Sequence, residues 1–183
     1  MKKLIFLLPL LFVGCFWAPA LPTFNSFDMI RSDNGTTVTG CEYLEVGIGK
    51  DVDLKDLCNR LGCDHGYGPV LRTLLGIYED VQKVSGMTHE LTGRQRVVIY
   101  KSRKIVQDTY GNIFGDLYKD EVLAFYWGRK DTVVIAETDL CKSLIAHEMT
   151  HMLIDLCNKG LTNDEEESLA LKVEFTLADQ YGE

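Results

Sequence analysis

The chain is short of basic charge. Its 183 residues carry 19 Lys and Arg against 27 Asp and Glu, a formal net charge of −8, and two of those lysines, Lys2 and Lys3, lie at the extreme N-terminus. That balance excludes the electrostatic footprint of a nucleic-acid binder and disfavours an anionic membrane surface. Beyond the N-terminus no apolar run is long enough to span a bilayer, so no transmembrane segment is expected in the mature chain. Gly62 to Gly68 is rich in glycine, but no Gly-Lys-Ser/Thr follows, which excludes a phosphate-cradling loop. Histidine is scarce as well, with four in the whole chain.

Two of those four sit in one motif, His147-Glu148-Met149-Thr150-His151. Shuffling a chain of this composition is expected to produce His-Glu-x-x-His in roughly half a percent of cases. On a helix, residues four apart share a face, so His147 and His151 can point at one atom, and two imidazole nitrogens at that spacing suit zinc. Glu148 lies about 100° round the helix from His147, placed to take a proton from a water without binding the metal itself. The alternative is a buried helix with two core histidines. Leu144, Ile145, Ala146, Met149, Met152, Leu153 and Ile154 make that helix apolar on nearly every side, where two His and a Glu are costly without a partner such as a metal.

A zinc site needs a third protein ligand. Asn158-Lys159-Gly160 reads as a helix stop, and a new helix is expected from Thr162 or Asn163 onwards. Thr162 with Glu165, or Asn163 with Glu166, would form a capping box. Glu167 and Glu174 instead fall in the middle of the apolar face of this helix, among Ala170, Leu171, Phe175, Leu177 and Ala178. An unpaired carboxylate there is unfavourable, and a metal at Glu167 resolves the conflict. Glu166 and Glu174 remain alternatives for the third ligand.

His147-Glu148-Met149-Thr150-His151, followed by a second helix with Glu167-Ser168-Leu169-Ala170, resembles the gluzincins, zinc metallopeptidases of the zincin type. The short gap between His151 and Glu167 is similar to the compact minigluzincin-like members, and the likeness covers about residues 95–183. It implies a compact α+β zincin-like domain: a small mixed sheet packed on helices, a metal-binding helix and then a second ligand-bearing helix. It implies one Zn2+ held by His147, His151 and Glu167, with Glu148 as general base. It also implies an edge strand that pairs with an extended peptide or protein substrate, for which Leu123 to Trp127 is the candidate. Where many gluzincins have an Asp four residues after the ligand Glu, this chain has Leu171. Asp155 or Glu174 is then left to bond back to a ligand histidine. A Tyr, His or Arg usually faces the developing oxyanion in this family, and Tyr110, Tyr126 and Tyr181 are eligible. Asp179-Gln180-Tyr181-Gly182 only partly matches the motif of the aspzincins, which use Asp as third ligand.

Residues 1–20 read as a signal peptide: a basic start, an apolar stretch from Leu4 to Val13 and a small-x-small site at Ala18-Pro19-Ala20. Export is therefore expected, with residues 21–183 as a single mature domain, divided into a cysteine-containing segment (21–68) and the zincin-like core (69–183). The alternative is a lipoprotein anchored through Cys15, since Phe12-Val13-Gly14-Cys15 looks like a lipobox. Cys41, Cys58, Cys63, Cys141 and Cys157 would remain after cleavage, an odd number, and disulfides are expected in an exported chain. Cys141 and Cys157 bracket the metal helix, about 24 Å apart, and are too distant to pair. Cys58 and Cys63 are partners the spacing allows, and Cys41 is an alternative for either. Cys58, Cys63 and His65 would otherwise suggest a second metal site, which oxidised cysteines disfavour.

The remaining elements are expected as follows. One or two strands lie within 36–48, a short helix within 51–61 capped by Asp51 or Asp53, and a core helix over 69–84 opened by Pro69. Strands are expected at 96–100, 122–127 and 132–137, the last two as a hairpin. Residues 108–116 read as a connection rich in turns, and Thr138-Asp139 as the cap of the metal helix. The function these readings support is a secreted zinc metallopeptidase. A zincin fold that binds without cleaving, and a hydrolase of another amide such as a cell-wall peptide, are the alternatives.

Overall fold

The computed structural model describes residues 31–33, 36–40, 44–92 and 94–183. The leader, Cys15 and Cys41 lie outside the described residues. The fold is α+β, a small mixed sheet packed on helices. The strands are β1 (Arg31–Asp33), β2 (Thr36–Gly40), β3 (Glu45–Gly49), β4 (Arg96–Tyr100), β5 (Ala124–Trp127) and β6 (Thr132–Ala136), in the order β1-β2-β3-β4-β6-β5. β3, β4 and β6 run parallel, while β2 and β5 flank them antiparallel. The expected hairpin at 122–137 is present, with Phe125 opposite Val134. Parallel strands are covered on both faces and read as continuous apolar runs, which β6 (Thr-Val-Val-Ile-Ala) does, being buried throughout.

The two-residue period of the strands divides the core into two layers. Val133 and Ile135 of β6, with Val97 and Ile99 of β4, face four helices: α1 (Leu54–Leu61), α2 (Tyr67–Ser85), α4 (Lys142–Leu156) and α5 (Asn163–Tyr181). Val134 and Ala136 face the other way, onto Val106 and Tyr110 of α3 (Arg103–Phe114) and Phe125 and Trp127 of β5. α1 begins behind Asp53, whose carboxylate accepts from the Lys55 amide at 2.8 Å. α2 starts two residues before Pro69, behind Gly66.

Two expectations fail here, each for a physical reason. Residues 108–116 are not a connection: α3 runs to Phe114. Tyr110-Gly111-Asn112 looks like a turn, but Val106 and Tyr110 pack on the sheet and carry the helix through it, and the glycine leaves room for the loop that follows. A Cβ at Gly111 would come within 2.9 Å of the Asp116 carboxylate and 3.1 Å of the Lys119 side chain, where the next loop folds back on the helix. Nor do Thr138 and Asp139 cap the metal helix. Glu137–Asp139 form a single 3-10 turn, and Asp139 pairs with Arg103 of α3. α4 starts behind Cys141, which makes no side-chain cap bond. The cap comes from the far end of the chain, where the Glu183 carboxylate accepts from the amides of Lys142 at 2.9 Å and Ser143 at 3.0 Å.

A carboxylate on two orphan amides satisfies the helix start and suits its positive dipole end. Replacing Glu183 with Ala is expected to lower stability by about 1 kcal/mol, the usual cost of losing an N-terminal cap. A denaturant titration measures this, and an unchanged midpoint would show that water caps α4 equally well.

Candidate metal centre

α4 carries His147 and His151 one turn apart, and the chain then turns back on itself. Asn158 (φ 49°) and Gly160 (φ 59°) take left-handed backbone, which ends α4 and lets α5 return against it. Thr162 caps α5 in a capping box with Glu165, whose carboxylate accepts from the Thr162 amide at 2.8 Å. Glu165 is thereby committed to the helix start, and Glu167, half a turn on, faces α4.

The Nε2 atoms of His147 and His151 lie 3.3 Å apart. Glu167 Oε1 is 3.7 Å from the first, and Glu167 Oε2 is 3.5 Å from the second. Among the described residues these three form the one group that could hold a metal ion. Four ligands at zinc distances of about 2.0–2.1 Å in a tetrahedron stand about 3.3–3.4 Å from one another. The nitrogen pair matches that edge length, each histidine has a different oxygen of Glu167 a little farther off, and two nitrogens with one carboxylate are a zinc-type donor set.

Glu174 lies two helical turns beyond Glu167 on the same face of α5. Its Oε2 is 2.8 Å from His147 Nδ1. A carboxylate at that distance requires the proton on Nδ1, so a neutral His147 presents the lone pair of Nε2 to the other donors. His147 Nε2 and the Glu167 carboxylate then face one another beside His151 Nε2, three donor atoms that one cation could gather in place of the proton His151 shares with Glu167. The titration behaviour reflects this. Burial opposes protonation of His147, but the Glu174 bond and the charges of Glu148, Glu167 and Glu174 outweigh it and raise its pKa. The His151 bond lowers the pKa of Glu167 against an opposing burial effect. Of the two residues left in place of the family's Asp, Glu174 is the one bonded to a histidine; Asp155 accepts the Tyr126 hydroxyl instead, at 2.9 Å.

Glu148 is 7% exposed, and burial raises its pKa despite the attraction of His147 and His151. The nearby backbone amide of Tyr126 favours the ionised form of its carboxylate. β5 is the edge of the sheet, as the candidate substrate strand requires, and it begins at Ala124 with Leu123 just outside.

The three tyrosines considered for the oxyanion are otherwise occupied. The Tyr126 hydroxyl reaches Asp155 and Asp131, and burial with those two carboxylates pushes its pKa far up. The Tyr181 hydroxyl donates to Asp80 at 3.1 Å. Tyr110 belongs to the layer on the opposite side of the sheet. The Glu174 contact was readable as a seven-residue spacing, whereas nothing in the sequence marks the Tyr126 amide as the partner of Glu148. No disulfide is present among the described residues, so the expected pairing of Cys58 with Cys63 is not observed here, and among the described residues no helix is long and apolar enough to cross a membrane. No family model, no curated protein and no solved structure matches the chain.

Proposed function

We propose that this protein is a zinc-dependent metallopeptidase of the gluzincin type acting on a peptide or protein substrate. The observation that carries the reading is the convergence of His147 Nε2, His151 Nε2 and the Glu167 carboxylate beside a buried Glu148. A zinc ion held there would supply a Lewis acid for the scissile carbonyl and a water that is acidic near neutral pH. Glu148 takes the proton of the attacking water on its carboxylate and hands it to the leaving amine. The nearby Tyr126 amide favours the ionised carboxylate that acts as base. Glu174 keeps the His147 proton on Nδ1 and so leaves Nε2 for the metal. β5, at the edge of the sheet, would offer an extended substrate backbone pairing. The leader-like sequence of residues 1–20 supports export, as a secreted or periplasmic protein or as a lipoprotein on Cys15.

The test is hydrolysis of an unfolded protein by zinc-loaded material, lost with a chelator and restored by zinc. Zinc-dependent cleavage supports the reading, and a folded, zinc-loaded protein inert on protein and cell-wall peptide substrates would turn it into a binding module. Glu174→Ala provides a graded check. Loss of the carboxylate behind a metal-bound histidine is expected to weaken zinc affinity about 10–100-fold, measured by competition with a zinc indicator. Unchanged affinity would mean that the contact with His147 is only packing.

A further inference from the structure

We infer that Cys58 and Cys63 form a disulfide that staples the end of α1 to the loop leading into α2. This inference stands apart from the metal site. α1 ends with Gly62 in left-handed backbone (φ 62°, ψ 39°). The Gly62 amide then donates to the Asn59 carbonyl at 3.2 Å, and the Cys63 amide to the Cys58 carbonyl at 3.0 Å. This helix ending brings the residue after the glycine over the residue five positions earlier, and an apolar pair usually makes that contact. Here both members are cysteines, and the Cys58 thiol faces the loop that carries Cys63, donating toward the Gly66 carbonyl at 3.9 Å. The backbone bond holds the two residues at the short range a disulfide needs.

No other described cysteine has such a neighbour. Cys141 and Cys157 stand at opposite ends of α4. The Cys141 thiol is 3.4 Å from the Ser143 hydroxyl, and the Cys157 thiol is 3.7 Å from the Thr88 carbonyl. Cys63 is the more exposed of the pair, since Cys58 is 2% exposed, so an external oxidant meets Cys63 first.

A small-molecule disulfide such as glutathione disulfide balances the reaction. The Cys63 thiolate attacks one sulfur of the oxidant, forming a mixed disulfide and releasing one thiolate. The Cys58 thiolate then attacks the Cys63 sulfur and releases the second. Each cysteine sulfur loses one electron, the oxidant gains two, and the two cysteine protons pass to solvent or to the released thiolates. The bond would anchor the entrance of α2, whose first residue follows Gly66 (φ 140°) with no side-chain cap of its own.

The test uses the full chain equilibrated with excess glutathione disulfide, alkylated at the remaining thiols and digested with trypsin without reduction. Cleavage after Lys55, Arg60 and Arg72 leaves Cys58 in residues 56–60 and Cys63 in residues 61–72. The expected result is these two peptides joined, with an intact mass about 2 Da below that of the reduced protein. The joined pair should vanish in Cys63→Ser and persist in Cys41→Ser. Both thiols recovered in alkylated form, glutathione retained on Cys63, or either cysteine joined to Cys41 would overturn the inference.

Discussion

Glu148→Gln should keep its zinc and lose its hydrolysis. Gln has nearly the shape of Glu and keeps a carbonyl oxygen beside the Tyr126 amide. Neither His147 nor His151 loses a donor atom, so metal content should match that of the unaltered protein. What disappears is the one group beside the metal ligands that can accept a proton from water. General acid–base catalysis by a positioned side chain contributes about 10²–10⁴-fold, and kcat should fall by that order. KM should move little, because Glu148 is 7% exposed and offers a substrate little contact surface. Near-normal turnover by a zinc-loaded Gln variant would remove Glu148 as the base. Loss of zinc along with activity would instead make Glu148 part of the metal's support.

The second large effect is on stability. His147, His151 and Glu167 face one another with donor atoms 3.3–3.7 Å apart, and their side chains are only 12–22% exposed. A ligand that binds the folded chain alone stabilises it by about 2.7 kcal/mol at a concentration 100 times its Kd. For a chain of this size each kcal/mol raises Tm by about 2–4 °C, so zinc should lift Tm by about 5–11 °C and a chelator should reverse the gain. His151→Ala should melt at the same temperature with or without zinc. A zinc-induced rise of equal size in His151→Ala would place the stabilising metal elsewhere.

The parts of the fold that local chemistry dictates were legible in the sequence. Four-residue spacing put His147 and His151 on one face, and helical phasing turned Glu167 and Glu174 inward while Thr162 and Glu165 made the cap. The β-branched runs at 96–100 and 132–136 gave the central strands. The parts that depend on distant residues were not legible. Gly111 reads as a turn former until the approach of Asp116 and Lys119 is known. The cap of α4 is Glu183, about forty residues away, and the local candidate Asp139 goes to Arg103. The strand order and the partner of Glu148 follow from tertiary packing that no short motif encodes. Asp155 and Glu174 were equal candidates for the histidine by sequence; the phenol of Tyr126 on β5 engages the first, and His147 the second.

The central claim is that His147, His151 and Glu167 hold one metal ion. The zinc content of the purified protein, measured beside Glu167→Ala under the same loading, tests it most directly. About one zinc per chain in the unaltered protein and almost none in the variant is the predicted result, since a three-ligand site loses most of its affinity with one donor gone. One zinc in both would contradict the assignment of Glu167 and pass the role to Glu166 or Glu174. A folded protein that takes up no zinc in either form would contradict the metal centre itself and leave α4 as a core helix with two buried histidines.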